Sequence, residues 1–175
     1  MPVEDLEHKE TFGFSDEELK SIETVYRDDL LQGQTALISG GGTGIGKAIA
    51  FLFARLGANV MICGRREPLL IETCEQLNEL GADADYMAMS IREPEAVEKL
   101  VDKTWQRFGK LDQLINNAGG QFAKPALDIS PKGWNAVIDT NLNGTWYMAQ
   151  ACARKWVEHD HPGSVTNIIL DYYRG

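Results

Sequence analysis

Apolar positions in this chain change period repeatedly, and each change marks an element boundary. Ser15 followed by Glu18 forms a capping-box pattern, and Leu19, Ile22, Val25 and Tyr26 then share one face, which predicts a short amphipathic helix over residues 15–27. Thr35 to Ile38 is a short apolar, β-branched run of the kind a buried parallel strand needs. After a glycine-rich turn, Ile45, Ile49, Leu52, Phe53 and Leu56 recur at helical spacing up to Gly57. The alternation then repeats: a strand at 59–63, a helix opened by Pro68 with Leu70, Cys74 and Leu77 inward, and a strand at 84–89. Next comes a helix carrying Val97, Leu100, Val101, Thr104, Trp105 and Phe108 and stopped by Gly109. A strand at 111–115 follows, then a long helix opened by Ser130-Pro131 with Trp134, Val137, Ile138, Asn141, Thr145, Met148 and Cys152 on one side. A last strand spans 164–170. Strict β/α alternation predicts an α/β fold with a doubly wound parallel sheet, helices on both faces and right-handed crossovers.

One domain suits this length of 175 residues, and 43% hydrophobic with 25% charged residues is enough to build a core. Residues 1–33 read as an N-terminal extension and 34–175 as the domain proper. The net charge of −9 argues against nucleic acid as a partner. Cys63, Cys74 and Cys152 are odd in number and widely spaced, so neither a disulfide framework nor a zinc site is expected and a cytoplasmic location fits. No apolar run approaches the ~20 residues of a membrane span. His159 and His161, beside Glu158 and Asp160, read as a surface cap on the long helix. Trp105, Trp134, Trp146 and Trp156 read as core or interface anchors.

The turn from Ser39 to Gly46 carries the first candidate chemistry. Gly40, Gly44 and Gly46 would permit a tight turn, close approach to a pyrophosphate and close packing of the new helix, and the helix N-terminus would face the anion. Gly42, Thr43 and Ile45 belong to the same cradle. Arg65 and Arg66 follow the second strand, where an acidic residue would bind the ribose hydroxyl of NAD. Two guanidinium groups there point to a 2′-phosphate and hence to NADP over NAD.

Three features together resemble the short-chain dehydrogenase/reductase family: the turn from Ser39-Gly40 to Gly44-Ile45-Gly46, the Asn116-Asn117-Ala118-Gly119 loop after the fourth strand, and Asn141 in Thr140-Asn141-Leu142-Asn143-Gly144-Thr145. The resemblance implies a Rossmann fold incomplete on its C-terminal side. It also implies that Asn117, Ala118 and Gly119 support the sheet and cofactor site, that Asn141 helps hold a proton-relay water, and that Ser90 and Ile91 lie near adenine in place of the frequent Asp-Val. Gly119-Gly120-Gln121-Phe122 and the lead-in Leu30-Leu31-Gln32-Gly33-Gln34 look most like the enoyl-CoA and 2,4-dienoyl-CoA reductase branch. In that branch Gln121 would match the amide that binds the thioester carbonyl, and Tyr172 the proton donor, with Tyr173 one register away. The implied parent is a homo-oligomeric enzyme, a dimer or tetramer, acting on an acyl-CoA thioester. Terpenoid-alcohol dehydrogenases look similar, and a nucleotide-binding or interaction module without catalysis is the remaining alternative. The family's Tyr-x-x-x-Lys region would follow Gly175, so the chain looks truncated and is expected, alone, to bind cofactor without sustained turnover.

Overall fold

The computed structural model describes residues 13–121 and 124–169. Helix α1 (Asp16–Ser21) leads into β1 (Thr35–Ser39), α2 (Gly44–Arg55), β2 (Asn59–Gly64), α3 (Glu67–Glu79), β3 (Ala84–Ala88), α4 (Pro94–Phe108) and β4 (Gln113–Asn116). After a 3-10 turn at Ala126–Asp128 come α5 (Pro131–Ile138), a π-helical segment (Asp139–Gly144), α6 (Thr145–Glu158) and β5 (Ser164–Asn167). The strands form one parallel sheet in the order β3-β2-β1-β4-β5, with Leu37 opposite both Met61 and Leu114. Strand order therefore reverses between β1 and β4, the crevice where ligands of open α/β sheets bind.

Side-chain alternation along the strands assigns each face its helices. Ala36, Ile38, Val60, Ile62 and Ile115 point to one side and pack with Phe51 of α2 and Leu70 and Leu77 of α3. Leu37, Met61, Cys63 and Leu114 point to the other and pack with Val97, Leu100 and Val101 of α4 and Met148 and Cys152 of α6. All five residues of β1 are buried, as a central parallel strand covered on both faces requires.

Several boundaries differ from the sequence expectation. The capping box of α1 forms, with Ser15 N donating to Glu18 Oε2 at 2.7 Å and Glu18 N to Ser15 Oγ at 3.3 Å, but the helix stops at Ser21 and leaves Val25 and Tyr26 exposed. Its end is fixed from outside: the Arg55 guanidinium donates to the carbonyls of Leu19 (3.2 Å) and Ile22 (2.6 Å). Leu19 is buried in the core and Asp16 pairs with Lys47 at 2.7 Å, so the extension is docked on α2.

The expected long helix is broken into α5 and α6 by the π-helical Asp139–Gly144. Trp134 and Trp146 are more than half exposed, while Met148 and Cys152 are buried as expected. Strand β4 begins at Gln113 and β5 ends at Asn167, both shorter than their apolar runs. His161 is no free surface cap: its Nε2 lies 2.9 Å from Asp112 Oδ1, and Asp112 Oδ2 accepts Thr35 N at 2.7 Å. His159 stacks on Trp105 with centroids 4.2 Å apart.

Candidate cofactor and active site

Two loops meet where the strand order reverses, and a buried serine joins them. Ser39, at the end of β1, accepts the amides of Asn117 and Ala118 on its Oγ, both at 3.0 Å, and donates to Ile115 O at 3.4 Å. Asn117 returns the link by donating from Nδ2 to Ser39 O (3.0 Å) and Gly40 O (3.5 Å). The glycine turn and the Asn-Asn-Ala-Gly loop thus form one hydrogen-bonded unit.

Inside that unit Gly46 is placed by packing. A Cβ there would run into the carbonyl of Gly40 and the amide of Asn117, so only glycine lets α2 start this close to β1. Gly44 has φ of +56° with open space around a would-be Cβ, so its requirement is backbone conformation. Thr43, the N-cap of α2, makes no side-chain cap bond; its Oγ1 accepts from Arg66 Nη2 at 3.1 Å. First-turn amides of α2 therefore remain available to an anion.

A cavity of about 330 Å³ opens beside this turn. Gly40, Gly42, Thr43 and Ile45 line one side and Arg65 and Arg66 another. Ser90, Ile91 and Arg92 close it, and Asn117, Ala118 and Gly119 form its inner end. Among the described residues Arg65 has no hydrogen-bond or ion-pair partner. Ser90 Oγ accepts Arg92 N at 3.3 Å, and Ile91 is buried against Gly144. A second cavity of about 590 Å³ shares Ile45 and the Asn117–Gly119 loop with the first and adds Gln121, Asn141, Asn116 and Asn167. There Asn141 Oδ1 accepts Gly120 N at 3.0 Å and its Nδ2 donates to Gly120 O at 2.9 Å, so the side chain pairs with both polar groups of one loop residue. Gln121 is exposed and makes no hydrogen bond among the described residues.

Every candidate up to Asn141 is thus brought to one crevice; Tyr172, Tyr173 and Phe122 lie outside the described residues. Sequence reasoning missed three residues. Asn116 is 4% exposed and donates to Asn167 Oδ1 at 3.0 Å, while its own Oδ1 has no partner among the described residues. Arg92 and Thr140 line the first cavity and are bonded to each other. The signal for Asn116 was its place beside Asn117, and for Arg92 its place directly after Ser90-Ile91.

Among the described residues no group of three or more His, Cys, Asp or Glu could hold a metal, and no helix is long and apolar enough to cross a membrane. Cys63, beneath the glycine turn, is fully enclosed, and burial pushes its thiol up to about 12. It is therefore no nucleophile at neutral pH.

A family model described as short chain dehydrogenase matches residues 34–169. The chain belongs to the short-chain dehydrogenase family. It is 37% identical over 145 residues to a probable 2,4-dienoyl-CoA reductase of Bacillus subtilis, covering 83% of this chain and 57% of that protein. With a peroxisomal 2,4-dienoyl-CoA reductase of Arabidopsis thaliana it shares 39% identity over 142 residues, 81% of this chain and 47% of that protein. Among solved structures, a citronellol catabolism dehydrogenase from Pseudomonas aeruginosa is 36% identical with a TM-score of 0.78, covering 85% of this chain and 60% of that one. The chain spans about half the length of the curated short-chain dehydrogenase relatives it matches. Its five-stranded parallel sheet is the family's α/β fold.

Proposed function

We propose that the protein is an NADP-linked oxidoreductase that reduces an enoyl- or dienoyl-CoA thioester. The observation that carries this reading is the pair Arg65-Arg66 at the rim of the first cavity, with Gly64 and no carboxylate ending β2. An exposed Arg65 with no partner among the described residues suits a 2′-phosphate, which a guanidinium binds as a fork. The cradle suits the rest of a dinucleotide: the uncapped start of α2 and the Cβ-free surface of the turn for the pyrophosphate, Ser90 and Ile91 for the adenine side, and the Asn117–Gly119 loop leading to the second cavity. When bound, such a cofactor supplies a hydride.

The chain's own residues would do the remaining work. Gln121 lines the second cavity and makes no hydrogen bond among the described residues, and its N–H can donate to a thioester oxygen on which charge builds as the double bond is reduced. Asn141 fixes Gly120 and thereby the start of the Gln121 segment. Tyr172 is proposed as the proton donor. The three cysteines are free, which suits a cytoplasmic location. The relatives named as 2,4-dienoyl-CoA reductases support the thioester substrate. Likeness to the citronellol catabolism dehydrogenase favours a second reading, oxidation of a terpenoid alcohol.

Binding titrations test the cofactor assignment. Arg65→Ala/Arg66→Ala should weaken NADPH by roughly 1.5–3 kcal/mol more than NADH, the worth of a charge-assisted hydrogen bond. Equal losses for the two cofactors would overturn it. Turnover of a dienoyl-CoA against a terpenol by the protein separates the two substrate readings.

A further inference from the structure

The third arginine at the cofactor crevice does different work from Arg65 and Arg66. Arg92 leaves the end of β3 and reaches across to the broken helix, donating from Nε to Thr140 Oγ1 at 2.6 Å and from Nη2 to Ala136 O at 2.8 Å. Thr140 Oγ1 itself donates to Ala136 O at 2.9 Å, so guanidinium, hydroxyl and carbonyl close a triangle. Among the described residues no carboxylate pairs with Arg92. Its fork is occupied by neutral acceptors at the point where α5 passes into the π-helical segment.

That segment, Asp-Thr-Asn-Leu-Asn-Gly, consists mostly of weak helix formers. Gly144 at its far end touches Ile91, where a Cβ would come within 2.7 Å of Ile91 Cγ1. The β3–α4 turn therefore holds the segment at both ends, through Arg92 at the start and Ile91 at the finish. Between them lies Asn141, paired with both polar groups of Gly120. Rewinding the segment by one residue into regular α-helix would rotate Asn141 by ~100° and break that pairing.

We infer that Arg92 is a positioning residue: it locks the π-helical segment in register and so carries the placement of Gly120 and the second cavity from the adenine side of the cofactor crevice. The assignment of nucleotide halves rests on the proposed cofactor site. Arg92 touches the nicotinamide end only through Thr140, Asn141 and Gly120, so its loss should be felt there and spared at the adenine end. Lysine is a poor replacement, because its ammonium is a strongly hydrated point charge on a flexible stem and lacks the rigid planar fork that fixes Thr140 and Ala136 together.

Calorimetry with NADPH and with 2′-phospho-ADP-ribose, which lacks the nicotinamide, reads this split. Arg92→Ala, Arg92→Lys and Thr140→Val should each weaken NADPH roughly two- to thirty-fold, the range of couplings carried through intermediate residues. Binding of 2′-phospho-ADP-ribose should stay at the wild-type level, and Thr140→Ser should resemble wild type for both. The Arg92→Ala/Thr140→Val pair should lose no more than either single variant. Equal weakening of the two ligands would make Arg92 a direct contact of the adenine half, and no weakening of either would leave it without a role; both results overturn the inference. Amide exchange of Gly120 in nucleotide-free protein is the independent arm. It should accelerate in Arg92→Ala and Thr140→Val and not in Thr140→Ser. If the wild type bound neither nucleotide, the cofactor reading would fail while this exchange still decided the linkage, with unchanged exchange overturning it.

Discussion

Replacing Ser39 with alanine removes one hydroxyl, yet that oxygen is shared by two loops. Ser39 is fully buried and its Oγ accepts two amides, those of Asn117 and Ala118, each at 3.0 Å. Ser39→Ala leaves both N–H groups without a partner, at ~1–3 kcal/mol for each unsatisfied donor. Residues 117 and 118 are half-buried, so the lower end applies to each, and the sum is ~2–3 kcal/mol. Thr104→Val is the matched control. Thr104 is equally buried, but its hydroxyl donates only to Leu100 O, one turn back at 2.8 Å, a carbonyl that can keep its helical partner. That variant should cost below ~1 kcal/mol. Urea unfolding followed by far-UV circular dichroism measures both, with equal slopes expected because the surface exposed on unfolding is unchanged. If Ser39→Ala proved no more destabilising than Thr104→Val, the serine would not be the joint between the loops.

Further outcomes follow from the same contacts. Gly46→Val should abolish nucleotide binding by calorimetry and lower stability, because its side chain enters the space of the Gly40 carbonyl and Asn117 amide. The hydrogen bond from Lys47, followed by that from Gln76, holds the Asp16 carboxyl below its ordinary value of 3.8 despite an opposing desolvation effect. A carboxylate depressed in the folded state adds stability that is complete above its unfolded value and lost as pH falls through the folded one. Asp16→Asn should therefore flatten the stability profile below about pH 4, as read by thermal melts at stepped pH. Burial pushes the thiols of Cys63 and Cys152 up to about 12, so a thiol reagent at pH 8 should label neither in the native protein and both after unfolding.

What the sequence disclosed was whatever depends on near neighbours. The strand-to-helix change at the glycines, the capping box at Ser15 and the stop at Gly109, with φ of +75°, are local chemistry, and all three stand in the structure. Helix α1 was read too long because its end is set by Arg55, 33 and 36 residues away from the carbonyls it binds. The long helix was read as continuous because an apolar stripe does not register one inserted residue. The run Asp-Thr-Asn-Leu-Asn-Gly carried the warning in its low helix propensity. His159 and His161 were judged by their acidic neighbours in sequence, while the partner that matters for His161, Asp112, is 49 residues distant. Of the site, the residues in recurring patterns were legible, and Arg92, defined by a reach of 44 and 48 residues, was not.

The strand order has a consequence for the order in which the chain can fold as it is synthesised. Strand β1 finds β2 about one helix later, with Thr35 and Asn59 24 residues apart, but its other neighbour arrives only at Gln113, and the Thr35–Asp112 contact spans 77 residues. The β1-α2-β2-α3-β3 half can pair and cover one face with only short loops to close, whereas β4 must add to a central strand that already has a neighbour on one side. Until β4 arrives the edge of β1 is open, a template for any passing strand, and the face bearing Leu37 and Met61 is fully covered only when α6, which follows β4 in the chain, joins α4 on it. Ser39, the last residue of β1, lacks its amide partners until the loop after β4 is made, so the joint at the strand reversal can close only once that edge of β1 has been paired.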